Sequence, residues 1–179
     1  MCGIVGITSS KPVTTMILNS LRKLEYRGYD SSGIATLHDG NIHEVKSEGR
    51  VDALEKNLNR SNLQGNIGIG HVRWATHGVP STINAHPHSS DNVSVVHNGI
   101  IENSTLLKKM LLKKGHEFKS QTDTEVITHL ITEYLKKNDL KTSIIKMLKR
   151  LHGSFALGII FKDQPDLIVG ARRGSPLAV

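Results

Sequence analysis

Cysteine and aromatic residues are scarce in this chain. One of its 179 residues is cysteine, Cys2, and aromatic side chains make up 4%. A single thiol excludes an internal disulfide framework and every thiolate-rich zinc site, and it is typical of a reducing compartment. No apolar run approaches the ~20 residues that a membrane helix needs, and no secretory signal precedes the first strand. We therefore expect a one-domain cytoplasmic protein with no membrane partner.

Basic residues outnumber acidic ones, and the formal net charge is +7. The lysines are concentrated in segments that predict amphipathic helices, such as Lys108-Lys109 and 146–150, where they occupy the polar side. Few aromatic residues lie among them, so the sequence offers no platform on which bases could stack. We interpret the charge as a solvated face and expect no nucleic-acid partner.

Short apolar runs and segments of helical periodicity follow one another along the chain, which predicts an α+β domain with helices on largely antiparallel sheets. Asp39-Gly40 predicts a hairpin turn, because these residues tolerate a positive φ. The stretch 74–91 has no clear period and predicts a long functional loop. Strands are predicted over 3–8, 33–38, 41–46, 66–73, 92–97, 154–161 and 166–171, and helices over 14–24, 51–58, 104–114, 124–137 and 142–151.

The position of the single cysteine is its most informative property. Removal of the initiator Met1 would leave Cys2 with a free α-amine on its Cα and a thiol on the adjacent Cβ, which joins a nucleophile to its own proton acceptor. Unperturbed pKa values of about 8.5 for a thiol and about 7.7–8.0 for an α-amine allow this transfer near neutral pH, directly or through a water. The alternative is a small buried residue of the first strand.

Five short blocks hold more polar side chains than a core needs, and they lie at 24–33, 70–78, 84–88, 96–103 and 122–126. In this order, behind Cys2, they closely resemble the glutaminase domain of the glucosamine-6-phosphate synthase family (glutamine–fructose-6-phosphate aminotransferases), within the class II glutamine amidotransferases. The runs at 26–30 and 74–77 favour this family over amidophosphoribosyltransferases, asparagine synthetases and glutamate synthases. The resemblance extends over essentially the whole chain.

The resemblance implies a glutaminase domain over 2–179 with the four-layer αββα sandwich of N-terminal-nucleophile hydrolases. It implies that Cys2 attacks the side-chain amide of L-glutamine, that ammonia leaves, and that water hydrolyses the thioester to glutamate. In the full-length enzyme, ammonia would pass to a sugar-isomerase domain, absent from this chain, that binds fructose 6-phosphate and forms glucosamine 6-phosphate. No cofactor is implied. The alternatives are the glutaminase domain of another class II amidotransferase and a fragment that binds glutamine without reacting.

The resemblance also assigns roles to single residues. The oxyanion donors correspond to the Asn98 side-chain amide and the Gly99 N–H, although this dipeptide alone is typical of a tight hairpin turn. Arg73 corresponds to the cation that binds the substrate carboxylate and Asp123 to the anion that binds its ammonium. The alternative for Arg73 is a surface ion pair, and the alternative for Asp123 is a helix N-cap. Trp74, Thr76 and His77 correspond to a loop that closes over bound glutamine. The alternative for Trp74, the only tryptophan, is a place in the core. Arg27 corresponds to an arginine that supports the nucleophile.

Histidines are frequent in the middle of the chain, and five of them could suggest a metal site. Three such ligands and a carboxylate would suit a zinc hydrolase. However, there is no His-Glu-x-x-His motif, and acidic residues are sparse in this segment. We expect structural histidines and no metal. The five are His71, His77, His86, His88 and His97.

Overall fold

Two antiparallel four-stranded sheets form the centre of the molecule. The computed structural model describes residues 2–179, so Met1, whose removal would free the α-amine of Cys2, lies outside the described residues. The strands are β1 Gly3–Thr8, β2 Ser31–His38, β3 Asn41–Glu48, β4 Ile67–Arg73, β5 His88–Ser89, β6 Val93–Ile101, β7 Gly153–Phe161 and β8 Ile168–Arg173. The strand order is β1-β4-β2-β3 in the first sheet and β5-β6-β7-β8 in the second.

Helices cover the outer face of each sheet. A stripe of buried residues on the first helix, Ile17, Leu18 and Leu21, packs on the first sheet, since residues three and four apart share a helix face. Within residues 2–179, no helix has the length and apolar character needed to span a membrane. The helices are α1 Thr14–Leu24 and α2 Val51–Ser61 on the first sheet, α3 Ser104–Leu112, α4 Glu125–Leu135 and α5 Leu140–Arg150 on the second, and a short 3-10 helix, Glu25–Arg27.

Three apolar cores separate these four layers. The central core joins the two sheets and includes Ile67 and Ile69 of β4 and Val96 of β6. Val93 and Val95 instead belong to the core between the second sheet and its helices. Because side chains alternate along a strand, even-numbered positions of β6 face the first sheet and odd-numbered positions face the helices. The arrangement confirms the predicted four-layer αββα sandwich.

Most predicted elements are confirmed with small shifts of their ends. The hairpin between β2 and β3 turns at Asp39 and Gly40, with φ angles of 48° and 72°, as the dipeptide predicts. The hairpin interpretation of Asn98-Gly99 is wrong, because both residues lie inside β6 and pair with β7. The N-cap interpretation of Asp123 is also wrong, since α4 begins after Thr124 without a side-chain cap.

The packing of the two sheets can be tested at Ile69, which is fully buried between them. We expect Ile69→Ala to lower the free energy of unfolding by about 2–5 kcal/mol, because the lost methyl groups leave a cavity. Ile145→Ala is the matched control, since Ile145 is 41% exposed on α5, and a change within about 0.5 kcal/mol is expected there. Urea unfolding measures both. Equal losses in the two variants would contradict a tightly packed central core.

Candidate active site

Cys2 precedes β1 and is fixed on three sides by hydrogen bonds. Its backbone nitrogen donates to Oδ1 of Asn98 at 3.2 Å. Its carbonyl oxygen accepts from Nε of Arg27 at 3.1 Å. Its Sγ accepts from the Trp74 backbone nitrogen at 3.4 Å and lies 3.7 Å from the Trp74 carbonyl oxygen. The thiol therefore faces polar groups and is only half-buried, which argues against an inert core cysteine.

The environment of Cys2 keeps its thiol protonated at rest. Burial raises the pKa of the thiol, and the Trp74 N–H and the positive charge of Arg73 lower it by less. A thiolate is therefore not stored in the resting site, and attack on a carbonyl needs a base that takes the proton as the new bond forms.

Asn98 and Gly99 reach the site from β6. Asn98 occupies an even-numbered position, so its side chain faces the first sheet and meets Cys2. Because Oδ1 accepts from the Cys2 nitrogen, the amide NH₂ group remains available to donate elsewhere. Gly99 has a φ of 144°, and a Cβ there would lie 2.0 Å from the carbonyl oxygen of Ser154 on β7. Only glycine fits this close approach of two strands.

Arg73 is a buried cation that holds the loop following β4. Its side chain is 3% exposed, and its NH1 group lies 3.4 Å from both the Asp30 carboxylate and the Val79 carbonyl oxygen. Its NH2 group donates to the carbonyl oxygens of His77 and Gly78. A surface ion pair is therefore excluded. Since loop carbonyls occupy the terminal N–H groups, a substrate carboxylate must replace some of them.

Asp123 is a buried anion on the opposite side of the site. Its Oδ2 accepts from the backbone nitrogen of Ile101 at 2.7 Å, and its Oδ1 lies 4.0 Å from Nδ1 of His77. The His77 ring also lies 3.2 Å from the Thr76 hydroxyl. One carboxylate oxygen therefore holds the end of β6, and the other faces the loop.

Trp74 belongs to the loop surface and not to the core. It is 49% exposed, and its ring contacts Tyr29 edge-on at a centroid distance of 5.6 Å. Exposed aromatic rings of this kind are free to cover a ligand when a loop closes.

The candidate site residues predicted from the sequence line one narrow cavity, with the exception of Asn98 and Arg27. Those two line a larger pocket of about 490 Å³ on the other side of Cys2. The narrow cavity has a volume of about 20 Å³, room for roughly one water, so any larger ligand requires its walls to move. Its lining residues are Cys2, Arg73, Trp74, Thr76, His77, His86, His97, Gly99, Thr122, Asp123 and Thr124.

Four of the five clustered histidines are buried neutral rings. Burial lowers the pKa of His71 and His88 to about 3 and that of His97 to about 4, and it holds the pKa of His86 well below its usual range. The rings of His71 and His86 stack at 4.1 Å. Within residues 2–179, no group of three or more histidine, cysteine or acidic side chains could hold a metal ion.

Sequence reasoning missed several residues that support the site. Asp30, which pairs with Arg73, lies in the first polar block but received no role there. The Thr122 and Thr124 hydroxyls contact the buried histidine rings, a contact that the sequence did not indicate for either threonine. The only signal was the density of polar residues in blocks 24–33 and 122–126, which does not identify partners distant in sequence.

Comparison with known proteins places this geometry in a family. Residues 71–175 match the family described as "Glutamine amidotransferase domain". Two curated relatives are glutamine–fructose-6-phosphate aminotransferases (isomerizing), from Zymomonas mobilis at 51% identity over 180 residues and from Mesorhizobium japonicum at 54% over 181. Both alignments cover 100% of this chain and 30% of the relative, so the chain spans less than a third of their length.

Solved structures share the same architecture. The glutamine phosphoribosylpyrophosphate amidotransferase from B. subtilis superposes with a TM-score of 0.78 at 30% identity, covering 90% of this chain and 35% of that chain. A glutamine aminotransferase class-II domain protein from Silicibacter pomeroyi superposes with a TM-score of 0.65 at 14% identity, covering 98% of this chain and 78% of that chain. At that identity the second similarity shows the fold alone. The αββα architecture is thus that of amidotransferases of the N-terminal-nucleophile type.

The buried histidines predict a loss of stability in mild acid. Between about pH 6.5 and about pH 4, unfolded histidines bind protons that the buried rings do not, so the unfolded state gains protons and stability falls as the pH falls. Each ring contributes up to about 1.4 kcal/mol per pH unit. Urea unfolding over this range measures the slope, and His88→Gln should reduce it. A stability independent of pH above about pH 5 would contradict buried neutral rings.

Proposed function

This chain belongs to the glutamine amidotransferase domain family, and we propose that it hydrolyses the side-chain amide of L-glutamine to glutamate and ammonia with Cys2 as nucleophile. The observation that carries the proposal is the placement of the Cys2 nitrogen 3.2 Å from Asn98 Oδ1, with Sγ on the same residue beside the cavity that Arg73 and Asp123 line. Removal of Met1 converts that nitrogen into an α-amine.

The α-amine of Cys2 serves as the base in this mechanism. The resting thiol is protonated, so the amine accepts its proton while Sγ bonds to the glutamine side-chain carbonyl carbon. When the tetrahedral intermediate collapses, the C–N bond breaks and the same proton leaves with the amide nitrogen as ammonia. Water then attacks the thioester with the amine again accepting a proton, and glutamate leaves with the thiol restored.

Asn98 and Gly99 stabilise the oxyanion of the two tetrahedral intermediates. The side-chain carbonyl oxygen of Asn98 orients the Cys2 amine. The NH₂ group of the Asn98 side chain is then available to donate to the oxyanion, together with the Gly99 N–H. Removal of one such donor typically lowers the rate by about 10²–10³. One amide side chain thus orients the base and stabilises the charge that forms on the substrate.

Arg73 and Asp123 select a zwitterionic substrate. The substrate carboxylate takes the place of loop carbonyls on the Arg73 guanidinium, and its ammonium binds the carboxylate oxygen of Asp123 that faces His77. Because Arg73 binds either the loop carbonyls or the substrate, glutamine binding rearranges the loop that carries Trp74, Thr76 and His77. These side chains then cover the substrate, and Arg27 holds the Cys2 backbone below it.

The ammonia acceptor lies outside this chain in our proposal. The curated relatives are named for fructose 6-phosphate, and this chain spans 30% of their length. We propose that residues 2–179 form the glutaminase domain, and that a sugar-isomerase domain of the full-length protein receives ammonia and converts fructose 6-phosphate into glucosamine 6-phosphate. A cytoplasmic location, which suits a free catalytic thiol, is part of the same proposal.

Replacement of Cys2 by Ala tests the nucleophile. Glutamate release from glutamine should fall to background in Cys2→Ala, because the thioester cannot form. Intact mass on the same samples shows whether Met1 has been removed, and a shift of the melting temperature by glutamine reports binding. Unchanged glutamate release in Cys2→Ala refutes the mechanism. If the wild-type protein has lost Met1, and glutamine stabilises it but no glutamate forms, the chain is a fragment that binds glutamine without reacting.

Asp123→Asn tests substrate selection. Asparagine keeps an oxygen for the Ile101 N–H but removes the charge, so we expect KM for glutamine to rise about 10–100-fold with a smaller change in kcat. Asp139→Asn is the control, since Asp139 is an exposed N-cap of α5 and asparagine also caps helices. Steady-state glutamate formation measures both variants. An unchanged KM in Asp123→Asn would remove Asp123 from the ammonium site.

A further inference from the structure

The Thr124 hydroxyl joins two buried histidine rings at the wall of the narrow cavity. Its Oγ1 lies 2.8 Å from Nε2 of His86 and 2.9 Å from Nδ1 of His97. Thr124 is fully buried, and both rings are almost so. A hydroxyl carries one proton and two lone pairs, and the two rings are the only partners of Oγ1 within residues 2–179. Its proton therefore has an acceptor only if the hydroxyl donates to one ring nitrogen and accepts from the other.

This geometry links the tautomers of the two rings. If His86 donates from Nε2, the hydroxyl donates to Nδ1 of His97, and His97 then carries its proton on Nε2. If His97 donates from Nδ1, the hydroxyl donates to Nε2 of His86, and His86 carries its proton on Nδ1. In the first case both rings are protonated on Nε2, and in the second both are protonated on Nδ1.

Thr124 lies between the two halves of the proposed site. It follows Asp123 directly in the chain, and His97 directly precedes Asn98. The His97 carbonyl oxygen lies 2.9 Å from Nε2 of His71 on β4. The residue before Asn98 is therefore held through its ring by Thr124, directly before α4, and through its backbone by the first sheet. We propose that Thr124 is a positioning residue, whose hydroxyl locks His86 and His97 in matching tautomers and so fixes Asn98-Gly99 relative to Asp123.

The segment around Asp123 is anchored in the same manner on its other side. The Thr122 hydroxyl lies 3.0 Å from Nε2 of His88, and the Glu125 carboxylate accepts from the Ser120 backbone nitrogen at 2.7 Å. Asp123 is therefore flanked by two threonines that each contact a buried imidazole. Hydroxyl–imidazole contacts suit this purpose because they satisfy both groups without adding charge to the core.

The linked tautomers also determine which of the two remaining ring nitrogens carries a proton. Nδ1 of His86 and Nε2 of His97 are buried and have no hydrogen-bond partner within residues 2–179. In either tautomer pair, one of these two nitrogens is a donor and the other an acceptor. Both rings belong to residues that line the cavity with Cys2 and Asp123, so the tautomer pair lies at the wall of the proposed site.

Three variants separate positioning from simple packing. Thr124→Val has nearly the same shape and removes the hydroxyl, and Thr124→Ser restores it. Thr128→Val is the matched control, because the buried Thr128 hydroxyl, one turn further along α4, donates to the Glu125 carbonyl oxygen. We expect Thr124→Val to lower kcat/KM for glutamine about tenfold or more, through both kcat and KM, and Thr124→Ser to recover most of it. Thr128→Val should stay within about threefold of wild type.

Nitrogen NMR of the histidine rings gives a readout that does not depend on activity. In the wild type, ¹⁵N shifts should assign the same single tautomer to His86 and His97, and Thr124→Val should break this agreement while Thr124→Ser keeps it. Opposite or mixed tautomers in the wild type would overturn the linkage. Unfolding temperatures of all variants ensure that each assay is made on folded protein.

The inference rests on the proposed glutaminase function, and the two fail differently. If wild-type protein that has lost Met1 is inactive, the proposed function is wrong, whichever tautomers His86 and His97 adopt. An active wild type with Thr124→Val at wild-type kcat/KM removes the positioning role and leaves the function intact. A lower melting temperature of Thr124→Val with unchanged kcat and KM would show a purely structural hydroxyl and would also overturn the proposal.

Discussion

The hydrogen bond between the Cys2 nitrogen and Asn98 Oδ1 is the contact on which the site depends. It joins the residue before β1, in the first sheet, to β6 of the second, so it exists only if the two sheets pack in the correct register. The central core of Ile67, Ile69 and Val96 supplies that register. The proposed nucleophile, base and oxyanion donor are thereby brought together by packing of apolar side chains that take no part in the chemistry.

The two charged side chains proposed to bind substrate already have hydrogen-bond partners in the resting site. Arg73 is paired with Asp30 and solvated by loop carbonyls, and the Asp123 carboxylate is bound by a backbone N–H. In our proposal, a zwitterionic substrate supplies the complementary charges to both. Its binding would replace existing contacts of Arg73 and so tie the position of the loop to the substrate.

The buried histidines solve a different problem, since they are polar groups in the interior of the protein. Neutral rings paired with threonine hydroxyls keep their hydrogen bonds without a buried charge. This arrangement holds rigid segments on both sides of the cavity, from the end of β6 to the start of α4. In our proposal, this rigid wall faces a loop after β4 that rearranges when substrate binds.

Local sequence determined most of the secondary structure and the identity of the nucleophile. Apolar periodicity determined α1 and β1 to the residue, Asp39-Gly40 determined the hairpin, and the position of Cys2 with the polar blocks indicated the chemistry. These features depend on neighbours a few residues apart, which a sequence displays directly.

Tertiary structure decided what depends on distant partners. Asn98-Gly99 has the local signature of a turn, yet pairing with β7 makes it continuous strand. Asp123 resembles a helix cap, but its carboxylate binds Ile101, and Thr124 contacts rings 38 and 27 residues away. Such partners are brought together only when the two sheets and α4 pack, because long-range contacts override the local preferences of short polar segments.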